Sequence, residues 1–129
     1  MTTQQTAQRL VQLCRQGEHD RAYAELFHDN AVGIEPEGIN GPSRVEGLDK
    51  LKAKNRDFGE MLEEMHNLKV SDPLVADRFF TCTMAMDATF KDSGRSQSSE
   101  ICLYETDENG KIIREQFFYS PALMGNTGV

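Results

Sequence analysis

Histidines, cysteines and scattered carboxylates are the residues of this sequence with chemistry to offer. An imidazole such as that of His66 titrates near neutrality and can serve as acid, base or metal ligand. His19, His28 and His66 do not stand at metal-ligand spacings, and His19 and His28 fall in stretches that read as exposed turns. Cys14, Cys82 and Cys102 lie far apart, form no CxxC or CxxH pair, and each sits in an apolar segment. A free cysteine there behaves as a small hydrophobe, so neither a structural zinc site nor a disulfide frame is expected. GxGxxG, P-loop, HExxH and GxSxG motifs are all missing, and no cofactor is expected. Asp87 is the most informative acid, because it interrupts the segment Arg78–Phe90. There the even positions (Phe80, Cys82, Met84, Met86, Ala88, Phe90) are apolar, and the odd ones (Thr81, Thr83, Ala85, Asp87, Thr89) are smaller and more polar. One face of that segment must be dry and the other must tolerate a carboxylate.

The scaffold that positions these groups is bounded by length and charge. A chain of 129 residues matches one domain with a single core, taken here as 1–129. A net charge of −7 disfavours nucleic acid, whose phosphates attract clustered bases. Lys50, Lys52, Lys54 and Arg56 alternate at a spacing that spreads them around a helix, which reads as a solvated surface. No apolar run approaches the ~20 residues needed to cross a bilayer, and MTTQQTAQRL has no secretory core. A cytoplasmic protein with no membrane partner is expected.

Ala7, Leu10, Val11 and Cys14 recur at helical spacing up to Gly17. A second helix is expected with Asp20 as cap and Ala22, Leu26 and Phe27 buried, then a strand Val32–Glu37 closed by Pro36 and Gly38. Gly41, Pro42 and Ser43 mark a turn. Leu48, Leu51, Phe58 and Leu62 predict a third helix over Gly47–Leu62. The period then changes to 2, predicting strands Met65–Ser71, Arg78–Phe90, Ser98–Thr106 and Ile112–Ser120. Asp72-Pro73, Asp92-Ser93-Gly94 and Asp107-Glu108-Asn109-Gly110 separate them. Met61 and Met65 read as core or interface filling, and MGNTGV as a frayed tail. Helices followed by a run of strands indicate an α+β fold.

This order, with the segments ELFHDNAVGIEPEG, MDATFKDSGR and EICLYETDENGKIIREQFFYSP, resembles the SnoaL-like domains of the nuclear transport factor 2-like superfamily, which includes ketosteroid isomerase. The resemblance covers nearly the whole chain. It implies a cystatin-like cone in which three N-terminal helices pack on a strongly curved, mainly antiparallel sheet around a small-molecule pocket. It also implies a homodimer through the convex sheet face, which places the apolar even face of Arg78–Phe90 at the subunit interface. The superfamily spans cyclases, isomerases, dehydratases, epoxide hydrolases and binding proteins, so the fold alone does not choose a chemistry.

Ketosteroid isomerisation uses a carboxylate base on the first strand and an oxyanion hole made by a tyrosine and a protonated aspartic acid. Matching the segments puts Glu35 at the base position, Leu10 at the tyrosine position and Cys102 at the acid position. Two of the required groups are missing, so that reaction is not expected. The same matching turns Cys102 inward, and alternation then sends Glu100 and Tyr104 inward with it. Ile113, Glu115, Phe117 and Tyr119 would face inward on the last strand, His66 and Leu68 on the second, and Thr83 and Asp87 on the third.

The implied site is Glu35, His66, Asp87 and Glu115 as catalytic candidates, with Glu100, Tyr104, Phe117, Tyr119 and Thr83 as ligand contacts and no metal. Carboxyls crowded in a low dielectric cannot all ionise cheaply, which suits acid–base chemistry and would also accept a cationic ligand or a divalent metal. Each residue has a plainer reading. Glu35 would lie in solvent at a strand end, His66 on an edge strand, and Asp87 in an ion pair with Lys91 or Arg95. Glu115 would pair with Arg78 or with a neighbouring chain's Arg114, and the tyrosines would be core aromatics. The expected functions are an isomerase, cyclase or hydrolase working through carboxylates, a non-catalytic small-molecule binder, or an assembly protein with a vestigial pocket.

Overall fold

The computed structural model describes residues 1–37 and 42–120. Its first helix, α1 (Thr3–Arg15), starts where Thr2 and Gln5 close a reciprocal capping box, each side chain bonding the other's backbone N–H. Ala7, Leu10, Val11 and Cys14 form its buried face, as their spacing predicts, and Thr6 and Leu13 widen it. After Gly17, at φ 75°, α2 (His19–Leu26) begins; Glu18 is its N-cap and Asp20 lies in its first turn rather than at the cap. Phe27, expected on that helix, is instead the first residue of β1 (Phe27–Ile34). The turn-rich stretch holds a strand that composition hides, β2 (Arg44–Glu46), paired antiparallel with β1. Gly38 and Gly41 lie outside the described residues, as does the tail MGNTGV.

The third helix, α3 (Leu48–Met61), runs straight into β3 (Leu62–Val70). A short β4 (Leu74–Ala76) precedes β5 (Phe79–Phe90), β6 (Gly94–Thr106) and β7 (Ile112–Phe118). The sheet order is β2-β1-β7-β6-β5-β3, with β4 also on β5. Every pairing is antiparallel except β1 with β7, which is parallel. The result is an α+β fold with three helices and a mixed, open, mostly antiparallel sheet.

Residues directly opposite across a ladder share a face, so the register fixes which side chains meet the helices. Phe80, Cys82 and Met84 of β5 lie opposite Tyr104, Cys102 and Glu100 of β6. Cys102 and Tyr104 lie in turn opposite Phe117 and Glu115 of β7, and Glu115 opposite Gly33 of β1. This inner face joins Leu10, Cys14, Leu26 and Leu51 of the helices in one buried core.

The register corrects two expectations. The apolar even face of β5 is packed in the core, with Phe80 at 1% and Met84 at 8% exposure, so it is not an interface surface. Since Cys102 faces inward, its partner Cys82 must too, and Thr83 and Asp87 therefore turn outward. The second correction is on β7, where the ladder slips between Glu105 and Thr106. Ile112 takes the buried position, and Ile113 moves to the outer side beside Arg114. One extra residue in a strand exchanges faces in this way.

Candidate functional site

The inner face carries a set of carboxyls on β6, β7 and the end of β1. Glu115 is 3% exposed and accepts a hydrogen bond from the Tyr23 hydroxyl at 2.7 Å, which brings α2 onto β7. Gly33 makes room for this approach. A Cβ at that position would stand 2.6 Å from Leu51 Cδ2 and 3.5 Å from Glu115 Oε1. A glycine inside a strand often marks such a close approach.

Glu35 follows β1 and is fixed through both oxygens. Lys54 Nζ of α3 lies 2.7 Å from Oε1, and the Tyr119 hydroxyl donates to Oε2 at 3.1 Å. Glu100 sits on the same inner face, with the Cys102 thiol 3.7 Å from its Oε1. The three carboxyls are near enough to repel one another. Burial raises Glu115 to about 7, opposed by the Tyr23 hydrogen bond and Lys54 and reinforced by Glu35 and Glu100. Burial likewise raises Glu100 to about 7, reinforced by Glu35 and opposed by the Cys102 thiol and Lys54. Burial and Glu35 also push the Tyr119 phenol up, and burial and Glu115 do the same for Tyr23. Two carboxyls poised near neutrality beside phenols can exchange protons with a bound molecule.

Among the expected site residues, Glu35, Glu100, Glu115 and Tyr119 are thus brought together. Tyr104 and Phe117 lie on the same face, Tyr104 stacked on Phe80 at 4.8 Å between centroids. Thr83, Asp87 and His66 do not join them. Thr83 is exposed, and Asp87 accepts two hydrogen bonds from Arg95 at 3.0 and 2.9 Å, the ion pair that was its plainer reading. Arg95 holds the Asp87 carboxyl below its usual range. His66 falls where the β3–β5 register shifts; its ring reaches Thr89 at 2.7 Å and Glu64 at 3.1 Å, on the outer side. Arg78, the other partner expected for Glu115 within the chain, instead lies 2.9 Å from Glu105, which this chain's Arg114 approaches at 3.9 Å.

Sequence reasoning missed Lys54 and Tyr23. Lys54 stands three residues after Leu51, which stands three after Leu48, so it continues the apolar stripe of α3. A lysine in that line, rather than the alternation of basic residues, was the usable signal. Tyr23 belongs similarly to the stripe that ends in Leu26 and Phe27, and its ring lies 4.6 Å from that of Phe27.

Among the described residues no group of His, Cys, Asp and Glu is arranged to hold a metal ion. No described helix is long and apolar enough to cross a membrane.

A mixed sheet covered on one face by three helices, with a part-buried acid cluster between them, defines a class that sequence comparison names. The profile of the SnoaL-like domain matches residues 1–119, and the chain belongs to that family. A Mesorhizobium loti structure, described provisionally as a SnoaL-like polyketide cyclase, is 30% identical. It aligns over 92% of this chain and 100% of its own, with a TM-score of 0.83. A provisionally assigned isomerase from Bacillus subtilis shares the fold at 20% identity, covering 100% and 98% of the two chains, TM-score 0.72. An NTF2-like protein of unknown function from Burkholderia pseudomallei does so at 15% identity, covering 96% and 95%, TM-score 0.78. Among curated proteins none matches.

Proposed function

We propose that this protein binds a small organic molecule against the inner face of its sheet and moves a proton on it. Glu115 and Glu100 are the acid–base pair, and Glu35 is a carboxylate anchored by Lys54 and Tyr119. The observation that carries this reading is the buried Glu115 carboxyl and the part-buried Glu100 carboxyl on one sheet face, each raised to about 7, with the Tyr23 hydroxyl on Glu115. A carboxyl near the working pH both accepts and donates protons readily, the property an isomerase, cyclase or hydrolase of this kind needs. The likeness to a Mesorhizobium loti protein described provisionally as a polyketide cyclase agrees with such chemistry. No cofactor enters the reading, and a cytoplasmic site of action fits three buried free thiols.

The engagement of both Glu35 oxygens favours a second reading, a non-catalytic binder on the same site, because an ammonium and a phenol donor on the carboxylate make it a weaker base. One experiment separates the two. The protein is incubated in D2O with small neutral, anionic and cationic organic molecules, with spectral shifts and deuterium uptake read together. Catalysis predicts uptake above buffer that Glu115→Gln abolishes with the fold intact; shifts without uptake leave the binder.

We also propose a homodimer through the outer face of the sheet, using residues opposite to those first expected. Ile101 and Phe118, directly paired across β6 and β7, are 51% and 46% exposed. Further along the same two strands an open depression of about 430 Å³ is lined by Val32, Ile34, Ile113, Arg44, Glu105 and Arg114. Arg114 Nε is buried there without a partner among the described residues.

A further inference from the structure

We propose that the depression on the outer face of the sheet is a second binding site, and that its ligand is a small organic carboxylate, an acid group on a short apolar body. The site lies on the opposite side of the sheet from the acids of the inner face and does not depend on their reading.

The register builds it. Glu115 turns inward on β7, so Arg114 turns outward; Gly33 of β1 lies opposite Glu115, so Val32 and Ile34 turn outward with Arg114. Arg114 lies opposite Glu105 of β6 on one side and Val32 of β1 on the other, and Ile34 lies opposite Arg44 of β2. Both ladders of β7 slip at Ile113. Pairing passes from Ile112 to Arg114 while β1 advances from Phe27 to Val32 and β6 steps from Thr106 to Glu105. Slips of this kind bend a sheet and re-aim its side chains. The depression of about 430 Å³ stands at this place, within the size range of small-molecule sites. Val32, Ile34 and Ile113 give it an apolar wall, and Arg44 and Arg114 bring guanidiniums to it.

Charge selects an anion. Glu105, the acid of the lining, is engaged by Arg78 at 2.9 Å, and Arg44 reaches Glu46 at 3.0 Å. With Arg114, three guanidiniums stand against two carboxylates, which leaves one positive charge in a chain whose net charge is −7. A monoanion matches that surplus. A phosphate dianion would bring a second negative charge beside Glu105 with no cation to meet it.

Hydrogen bonding selects the carboxylate. Nη2 of Arg114 donates to Gln116 Oε1 at 2.5 Å, and Nη1 stands 3.9 Å from Glu105, beyond hydrogen-bond reach. Nε is the one buried side-chain polar atom among the described residues without a partner. Leaving a buried donor unmade is costly, and such donors are rare. Nε and Nη2 form one edge of the guanidinium fork, which matches the two oxygens of a carboxylate. Because Nε lies beneath the surface, the guanidinium must turn from Gln116 toward the opening to meet the ligand. The apolar body then rests on Val32, Ile34 and Ile113.

The test follows the Arg114 Nε–H signal and the backbone amides of Val32, Ile34 and Ile113 by ¹H–¹⁵N NMR. Benzoate, benzyl alcohol and phenyl phosphate are added in turn to the whole protein. Benzoate is expected to move the Nε–H proton downfield and to bind at least about tenfold tighter than benzyl alcohol, the difference one charge-assisted contact makes. It should bind at least as tightly as phenyl phosphate. A guanidinium holds its charge throughout the neutral range, so benzoate affinity should stay level from about pH 6 to 8. Arg114→Lys keeps the charge and removes the fork; it and Arg44→Gln, each checked for fold by circular dichroism, should weaken benzoate about tenfold. Glu105→Gln should tighten it, a gain that misfolding cannot produce. Equal binding of the alcohol, tighter binding of phenyl phosphate, or an unchanged benzoate affinity in Arg114→Lys overturns the proposal. So do outer signals that none of the three probes moves. Benzoate shifting only the Tyr23 and Tyr119 rings would place it on the inner face, and outer signals that follow protein concentration alone would give the depression to a second copy; either result also overturns it.

Discussion

The Tyr23 hydroxyl donates to Glu115 Oε1 at 2.7 Å, across 92 residues of chain. The two partners pull the carboxyl in opposite directions. A phenol donor favours the ionised form, while burial at 3% exposure disfavours it, and burial wins because Glu115 stands at about 7. Tyr23→Phe removes the donor and leaves the burial, so Glu115 should titrate still higher in that variant. A carboxyl ¹³C titration checks this, and an unchanged or lower value means that the hydrogen bond does not act on the carboxyl.

Stability should depend on pH in a way opposite to most acidic proteins near neutrality. Glu100 and Glu115 rise from the usual 4.5 to about 7, so from about pH 4.5 to 7 the folded chain holds protons that the unfolded chain has released. Their contribution is present below about pH 4.5 and is lost as pH rises through 7. Glu25, held by Arg9 and Arg21 at about 2, works the other way: its contribution is present above about 4.5 and is lost as pH falls toward 2. The thermal midpoint should therefore peak near pH 5 and decline toward pH 8. Glu115→Gln should flatten that decline.

Gly33→Ala should destabilise the fold by roughly 1–3 kcal/mol, because its new methyl would overlap Leu51 Cδ2. Urea unfolding measures the loss. The same variant should disturb the Glu115 titration, since that carboxyl oxygen lies just beyond, at 3.5 Å.

Substitutions on the two faces of the sheet should separate folding from assembly. Met84→Asp puts an unpaired charge on the buried inner face and should cost more than ~3 kcal/mol, so the chain unfolds. Ile101→Asp changes a residue that is 51% exposed on the outer face. It should leave the midpoint nearly unchanged while converting a dimer to a monomer by sedimentation. A monomer before any mutation removes the proposed interface.

The alternation along Arg78–Phe90 made the strand and its dry face legible, but not the direction of that face. A strand's period says that one side is apolar; only its neighbour's register says whether that side meets helices or a partner. Cys82 opposite Cys102 supplies that register, and nothing local to either segment encodes it. The same limit explains His66 and Ile113, each at a register shift that no composition marks. Glu35, Glu100, Glu115 and Tyr119 were placed by resemblance, which carries register with it. Lys54 was lost because four alternating bases read as a solvated surface, although its spacing from Leu51 put it on the buried stripe. The short β2 and β4 were hidden because three residues are too few to show a period.

Site-resolved titration of the glutamate carboxyls, in protein labelled with ¹³C at Cδ, tests the central claim most directly. Glu100 and Glu115 should each titrate near 7, and Lys54→Met should raise both by removing the cation that favours their charged forms. Both carboxyls titrating near the ordinary ~4.3 of an exposed glutamate would contradict the account, since the inner face would then be wet, fully ionised and without a proton to exchange at neutral pH.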